Sequence, residues 1–151
     1  MTGTLPAGQR RAVEALAGSG RLRVVPPDAD RTYDFLAQAD ERLSQLPLLT
    51  SAPVKTGIAY DAAHDVGEAF LAWFGYATTN GPGQHAAIGD FLTVILDSPP
   101  THAAAAAMFD QARRARNQQN YRANPVGSAQ AIVVEQMART LRAAASSRGL
   151  G

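Results

Sequence analysis

Apolar residues recur at helical spacing in segments separated by short Pro- and Gly-rich breaks, and this pattern narrows the possible folds more than any other feature. The clearest stripe, within residues 51–77, consists of Ala59, Ala62, Val66, Ala69, Phe70 and Trp73. Because the breaks are short, consecutive helices are expected to run antiparallel. The pattern therefore predicts an all-α, up-and-down antiparallel bundle of four to five main helices. The predicted helices cover residues 28–46, 51–77, 84–97, 101–120 and 128–145.

The first 27 residues look different from the rest of the chain. A short helix is expected after Pro6, and Gly18-Ser19-Gly20 would end it. Residues 21–25 alternate in polarity too briefly to predict a strand, and no sheet is predicted anywhere in the chain. We therefore expect residues 1–27 to form an N-terminal extension of a bundle that spans residues 28–148.

Composition excludes several classes of site. The chain has no cysteine, which excludes disulfides, zinc–thiolate centres and thiol nucleophiles. No apolar run approaches the roughly 18 residues of a membrane-spanning helix. Arg10, Arg11 and Glu14 interrupt the stretch in which a secretory signal peptide would need an apolar core. A cytoplasmic protein without a membrane partner is therefore expected.

Charge is distributed unevenly along the chain, although the formal net charge is only +1. Residues 24–97 carry ten acidic residues against three basic ones, whereas residues 98–151 carry seven Arg against two acidic residues. A basic segment of this kind can hold a polyanion even in a nearly neutral protein. Arg is also suited to phosphate, because its planar guanidinium donates two parallel hydrogen bonds.

The densest basic segment is the end of the predicted helix 101–120 and the residues that follow it. Its arginines are Arg113, Arg114, Arg116 and Arg122. Arg113, Arg116 and Asn117 would share one helix face, and Arg114 can pair with Asp110 one turn earlier. These residues are candidates for binding phosphate or RNA. The alternative is purely structural, because Arg near a helix C-terminus is favoured by the helix dipole and its stem covers apolar surface.

The motif Arg116-Asn117-x-x-x-Tyr121, near the end of the penultimate helix, resembles the signature of the HEPN domain family. Residues 59–76 and the segment Gly83-Gln84-His85-Ala86-Ala87 also resemble stretches of family members. The resemblance implies a small all-helical homodimer that cleaves RNA without a metal ion, as an RNase or a toxin of a prokaryotic toxin–antitoxin or defence system. It implies catalytic roles for Arg116, Asn117 and Tyr121, and a cognate antitoxin or nucleotidyltransferase as a partner.

The chain departs from the family at one position, because Tyr121 stands where active members carry His. A second register, from Arg114, places Gln119 at the His position. The unperturbed pKa of Tyr is near 10, so it is a poor proton acceptor at neutral pH. His85, at the end of a Gly-rich loop, is the best of the three histidines as a substitute. We therefore expect RNA or nucleotide binding with weak or lost RNase activity.

A polar face is predicted on the helix 51–77, where Asp61, His64, Asp65 and Glu68 lie within about 100° of one another. These residues could ligate a metal, but no second helix offers the matching Glu-x-x-His ligands that bundle sites use. We expect instead a solvated acidic face in which Asp65 and Glu68 orient Arg113 or Arg116. No metal or cofactor is predicted, and the loop 78–84 is interpreted as an ordinary connection between helices.

Three functions remain open from the sequence. The first is an RNA- or nucleotide-binding protein that resembles the HEPN family. The second is a non-catalytic structural or regulatory helical dimer, in which the Arg cluster pairs internally with Asp61, Asp65 and Glu68 and the protein acts through a partner protein. The third, given the least weight, is a metal-binding helical bundle.

Overall fold

The protein is described by a computed structural model. It describes residues 2–79, 81, 83–121 and 127–151, with the side chains of residues 118–121 excepted. These residues form a helical bundle, which confirms the predicted all-α fold. The elements are α1 Ala7–Gly18, β1 Leu22–Val24, α2 Ala29–Gln45, a 3-10 turn Leu46–Leu48, α3 Ala52–Phe74, β2 Tyr76–Thr78, α4 Gln84–Ile95, α5 Pro100–Tyr121 and α6 Ser128–Ser147.

Capping side chains begin α2 and α3 at the expected places. The Asp28 carboxylate accepts a hydrogen bond from the Arg31 N–H at 2.9 Å and thereby caps α2. Ser51 caps α3 in the same manner. Helix α3 ends at Phe74, three residues earlier than predicted, because Gly75 adopts the left-handed conformation with φ of 87°. The chain then enters β2 instead of continuing the helix.

Residues 2–27 fold back onto the bundle. Strand β1 pairs antiparallel with β2, with Leu22 opposite Thr78 and Val24 opposite Tyr76. The prediction that the chain forms no sheet was therefore wrong for this short pair. Leu5, Val13 and Leu22 are buried in the same core as the main helices, so this segment contributes to the packing of the bundle.

Helix α3 lies at the centre and packs against α2, α4, α5 and α6. The prediction of a solvated polar face on α3 was wrong for Asp65 and Glu68, because neighbouring helices cover them, whereas Asp61 and His64 are half-buried. Asp65 and Glu68 are only 5% and 7% exposed. The burial of a carboxylate requires compensating contacts, and Asp65 has one in its ion pair with Arg42.

Two apolar residues that helical spacing predicts in the core, Tyr33 in α2 and Ile132 in α6, are on the surface. Ile132 is 57% exposed and Tyr33 is 47% exposed. In α6 the buried stripe instead begins at Ala131 and continues through Val134 and Leu141. The prediction failed because small Ala residues, which carry little hydropathy signal, occupy much of the packed face. Within the part of the chain that the structure describes, no helix has the length and apolar character needed to cross a membrane.

Candidate functional site

Helix α5 brings three of the predicted site residues to one cleft. Arg113, Arg116 and Asn117 line a cleft of about 400 Å³ together with residues 81 and 83–86, which form the loop before α4 and its first turn. The three side chains share a face of α5 because they follow one another at helical spacing. Residues 81, 83 and 84 of the loop that was interpreted above as an ordinary connection therefore line the wall of the cleft that faces α5.

The wall that faces α5 also contains the N-terminus of α4. Its N-cap is Gly83, which has φ of 85° and no side chain to cap the helix. The first N–H groups of a helix lack acceptors within the helix, and the helix dipole places partial positive charge there. Two guanidinium groups facing a helix N-terminus form an arrangement that favours an anion.

A buried aromatic and histidine cluster lies beneath this cleft. The Tyr60 hydroxyl is 2.7 Å from Nδ1 of His85, and the two rings are nearly parallel, with centroids 6.0 Å apart. The ring centroid of His64 is 4.5 Å from that of His85. On the other side, the guanidinium carbon of Arg116 lies 5.4 Å from the centre of the Tyr60 ring. Tyr60 therefore connects α3 both to the first turn of α4 and to the end of α5.

Burial and the arginines keep both histidines neutral. Desolvation lowers the pKa of His64 to about 4, with smaller contributions from His85 and from Arg116 and Arg42. Desolvation likewise lowers the pKa of His85, and Arg116 and Arg113 lower it further. Burial raises the pKa of Tyr60, so its hydroxyl keeps its proton throughout the physiological range.

One buried atom of this cluster has no partner. Nε2 of His64 is buried and makes no hydrogen bond with any residue that the structure describes. An unsatisfied buried polar atom costs roughly 1–3 kcal/mol. Such atoms are rare in folded proteins.

Carboxylates pair with the arginines around the cleft, but Arg116 does not pair with Asp65 or Glu68 as predicted. Nη2 of Arg116 is 3.1 Å from Asp61. Asp65 accepts a hydrogen bond from Nε of Arg42 at 2.8 Å, and burial raises the pKa of Asp65 although Arg42 opposes this. The expectation that Asp65 and Glu68 orient Arg113 or Arg116 was therefore wrong. Asp61, one residue after Tyr60 on α3, holds Arg116 instead.

The remaining carboxylates have other neighbours. Arg113 pairs with Asp110 at 2.8 Å, and Arg114 pairs with the other oxygen of the same carboxylate at 2.9 Å, as its spacing predicts. Burial raises the pKa of Glu68, an effect that the positive charge of Arg31 opposes. The positive charge near Glu68 is therefore Arg31 of α2, and not an arginine of the cleft.

The other predicted site residues lie away from the cleft or outside the described residues. Arg114 has a side chain that is 73% exposed and does not line the cleft. His102 contacts Arg148 at 2.8 Å at a different place in the bundle. The Tyr121 side chain and all of Arg122 lie outside the described residues, so the predicted role of the Arg-x4-Tyr motif stays a prediction.

Sequence reasoning missed Tyr60. It is completely buried, and it was not assigned a role because an aromatic residue on an apolar helix resembles ordinary core. The sequence offers one indication of a role for Tyr60. It stands four residues before His64, which places both rings on one face of α3. Its contact with His85 could not be inferred, because that contact depends on how α4 docks against α3.

The described part of the chain contains no group of three or more His, Asp or Glu residues that could hold a metal ion. The metal-binding alternative therefore has no site among these residues. Comparisons with models of protein families, with curated proteins and with solved structures found no match.

Proposed function

We propose that the protein binds RNA or a nucleotide through a phosphate group held in the cleft between α4 and α5, with weak or lost metal-independent RNase activity. The observation that carries this proposal is the convergence of Arg113, Arg116 and Asn117 with His85 at the N-terminus of α4. Guanidinium groups, an amide and free backbone N–H groups are the donors that phosphate oxygens accept.

The ion pairs around the cleft leave donors for a ligand. Arg113 uses Nε and Nη2 for Asp110, and Arg116 uses Nη2 for Asp61. Each guanidinium has five N–H groups, so both retain donors. Asp110 and Asp61, the carboxylates paired with these two arginines, do not themselves line the cleft.

The proposal is tested by the anisotropy of a fluorescently labelled single-stranded RNA in EDTA, titrated with protein at several salt concentrations. We expect Arg116→Ala and Arg113→Ala to weaken binding about tenfold each and to reduce the salt slope, since each phosphate contact on a single strand contributes about 0.7 to it. Arg114→Ala is the matched control, because it lies on the same helix and pairs with the same Asp110 outside the cleft. Equal binding by the wild type and the Arg113→Ala/Arg116→Ala double variant would refute the proposal.

Cleavage is measured separately, by incubating the protein with transfer RNA and total RNA in EDTA beside Arg116→Ala and Tyr121→Phe. Intact RNA, or slow fragmentation that Arg116→Ala abolishes, is the expected result. Fragmentation that Tyr121→Phe alone abolishes would instead assign the proton transfer to Tyr121, in agreement with the family motif. The homodimer, the toxin–antitoxin or defence role and the antitoxin or nucleotidyltransferase partner stay predictions of the resemblance; sedimentation of the pure protein tests the first.

One observation favours a second function, that of a non-catalytic helical dimer acting through a partner protein. Asp61 pairs with Arg116, which is the internal pairing that this alternative predicts. Under this alternative the pairs only stabilise the bundle. Arg116→Ala would then lower the free energy of unfolding without changing RNA retention, and the RNA titration separates the two functions.

A further inference from the structure

The Tyr60 hydroxyl determines what His85 can do. Tyr60 is completely buried, and the one hydrogen-bond partner of its hydroxyl within the described chain is Nδ1 of His85, at 2.7 Å. A buried hydroxyl proton requires an acceptor, because leaving it unpaired costs free energy. A neutral imidazole has one nitrogen that donates and one that accepts. The arrangement that satisfies both groups has the Tyr60 O–H donating to an unprotonated Nδ1.

The other ring nitrogen then carries the proton. Nε2 of His85 makes no hydrogen bond with any residue that the structure describes, and the half-buried His85 lines the cleft. Because His85 lines the cleft beside Arg113 and Arg116, a proton on Nε2 provides a further donor where a ligand would lie. Protonation of both nitrogens would leave the Tyr60 hydroxyl proton without its acceptor.

We propose that Tyr60 holds His85 as a neutral donor, protonated on Nε2, which binds an oxygen of the ligand's phosphate and does not accept a proton from it. For the ligand, this inference rests on the proposed function. His85 is then a binding residue, and Tyr60 is a positioning residue that acts through it. Burial and the two arginines support the neutral state, since both lower the pKa of His85.

This tautomer of His85 would account for the weak or lost RNase activity in the proposed function. Metal-independent cleavage of RNA requires a group that accepts the proton of the 2′-hydroxyl as its oxygen attacks phosphorus. His85 in this tautomer cannot accept that proton at Nε2. His64 cannot replace it at the ligand, because its Nε2 atom is buried. Neither His85 nor His64 therefore supplies the proton acceptor that cleavage requires.

The tautomer is measured by NMR on the full-length protein labelled with 15N in its histidines, at pH 7.5. Long-range proton–nitrogen spectra distinguish a protonated from an unprotonated ring nitrogen, and His85→Gln identifies the signals of His85. We expect an unprotonated Nδ1 and a protonated Nε2. A short oligouridylate should shift the Nε2–H signal without changing the tautomer. In Tyr60→Phe the two tautomers should interconvert; if this variant does not fold, the wild-type spectrum and the His85 variants still decide the question.

Binding and cleavage by His85 variants provide a second measurement. The Gln side chain can donate but cannot act as a base, whereas Leu can do neither. We expect His85→Leu to weaken oligouridylate binding roughly tenfold, and His85→Gln to retain most of the affinity. A protonated Nδ1 in the wild type, or RNA cleavage that His85→Gln abolishes, would overturn the donor assignment while the proposed function stands. If the oligouridylate does not bind, the proposed function fails, and the tautomer of His85 is still decided by the spectrum without ligand.

Discussion

Acid should destabilise the protein through His64, and the size of the effect can be worked from the structure. Burial lowers the pKa of His64 from 6.5 to about 4 in the folded protein. Between these values the unfolded chain binds a proton that the folded protein does not, so the free energy of unfolding falls as the pH falls. The contribution of neutral His64 to the free energy of unfolding is fully present above pH 6.5 and is lost progressively as the pH decreases toward 4.

The slope in this window is about 1.4 kcal/mol per pH unit for one group. Lowering the pH from 7.5 to 5 should therefore reduce the free energy of unfolding by about 2 kcal/mol through His64 alone. Asp65 and Glu68 act in the opposite direction, because burial raises the pKa of both and the folded protein then binds protons more tightly. The wild-type pH profile is thus a sum, and a variant is needed to isolate His64.

His64→Gln removes the titrating group and keeps a polar side chain of similar size. Urea unfolding followed by circular dichroism, at pH 7.5 and pH 5, gives the free energy of unfolding of both proteins. The wild type should lose about 2 kcal/mol more than His64→Gln between the two pH values. His102→Gln is the comparison variant: desolvation and Arg148 also lower the pKa of His102, but it lies nearer the surface, so this variant should remove a smaller part of the loss than His64→Gln. The same loss in wild type and His64→Gln would refute the assignment of His64 as a buried neutral group.

Three further predictions concern the fold that supports the cleft. Phe109→Ala should lower the free energy of unfolding by about 3–5 kcal/mol in urea titrations, because Phe109 is fully buried and its ring centroid lies 5.3 Å from that of Tyr60; Met108→Ala, at a half-buried position of the same helix, should cost under about 2 kcal/mol. Gly75→Ala should cost at least about 1 kcal/mol, since φ is 87° and the new Cβ would lie 2.9 Å from a backbone oxygen; unchanged thermal melting would contradict this. Deletion of residues 1–27 should abolish cooperative melting, because three buried apolar side chains are lost at about 1.5–3 kcal/mol each; a deletion variant that melts like the wild type would show that the segment is dispensable.

Helical periodicity, together with the short Pro- and Gly-rich breaks between helices, was sufficient to predict the bundle. The helix starts at Asp28 and Ser51 follow from their capping side chains, and the stripe from Ala59 to Trp73 predicts burial in α3. These features are local, because a cap or a stripe depends on residues within a few positions of one another. The same locality explains why Arg113, Arg116 and Asn117 were correctly placed on one face of α5, where they line the cleft.

The sequence alone also identified the arginines as the best candidates for binding an anion, but not the residues that surround them. Whether Asp61, Asp65 or Glu68 approaches Arg116 depends on the rotation of α3 against α5, which no local pattern specifies. The burial of Asp65 and Glu68 likewise follows from the central position of α3 between four other helices. Contacts between helices decide these properties because they join residues distant in the chain. The pairing of Tyr60 with His85, 25 positions apart, is the clearest case: only the docking of α4 against α3 brings that hydroxyl to that ring and so decides which nitrogen faces the cleft.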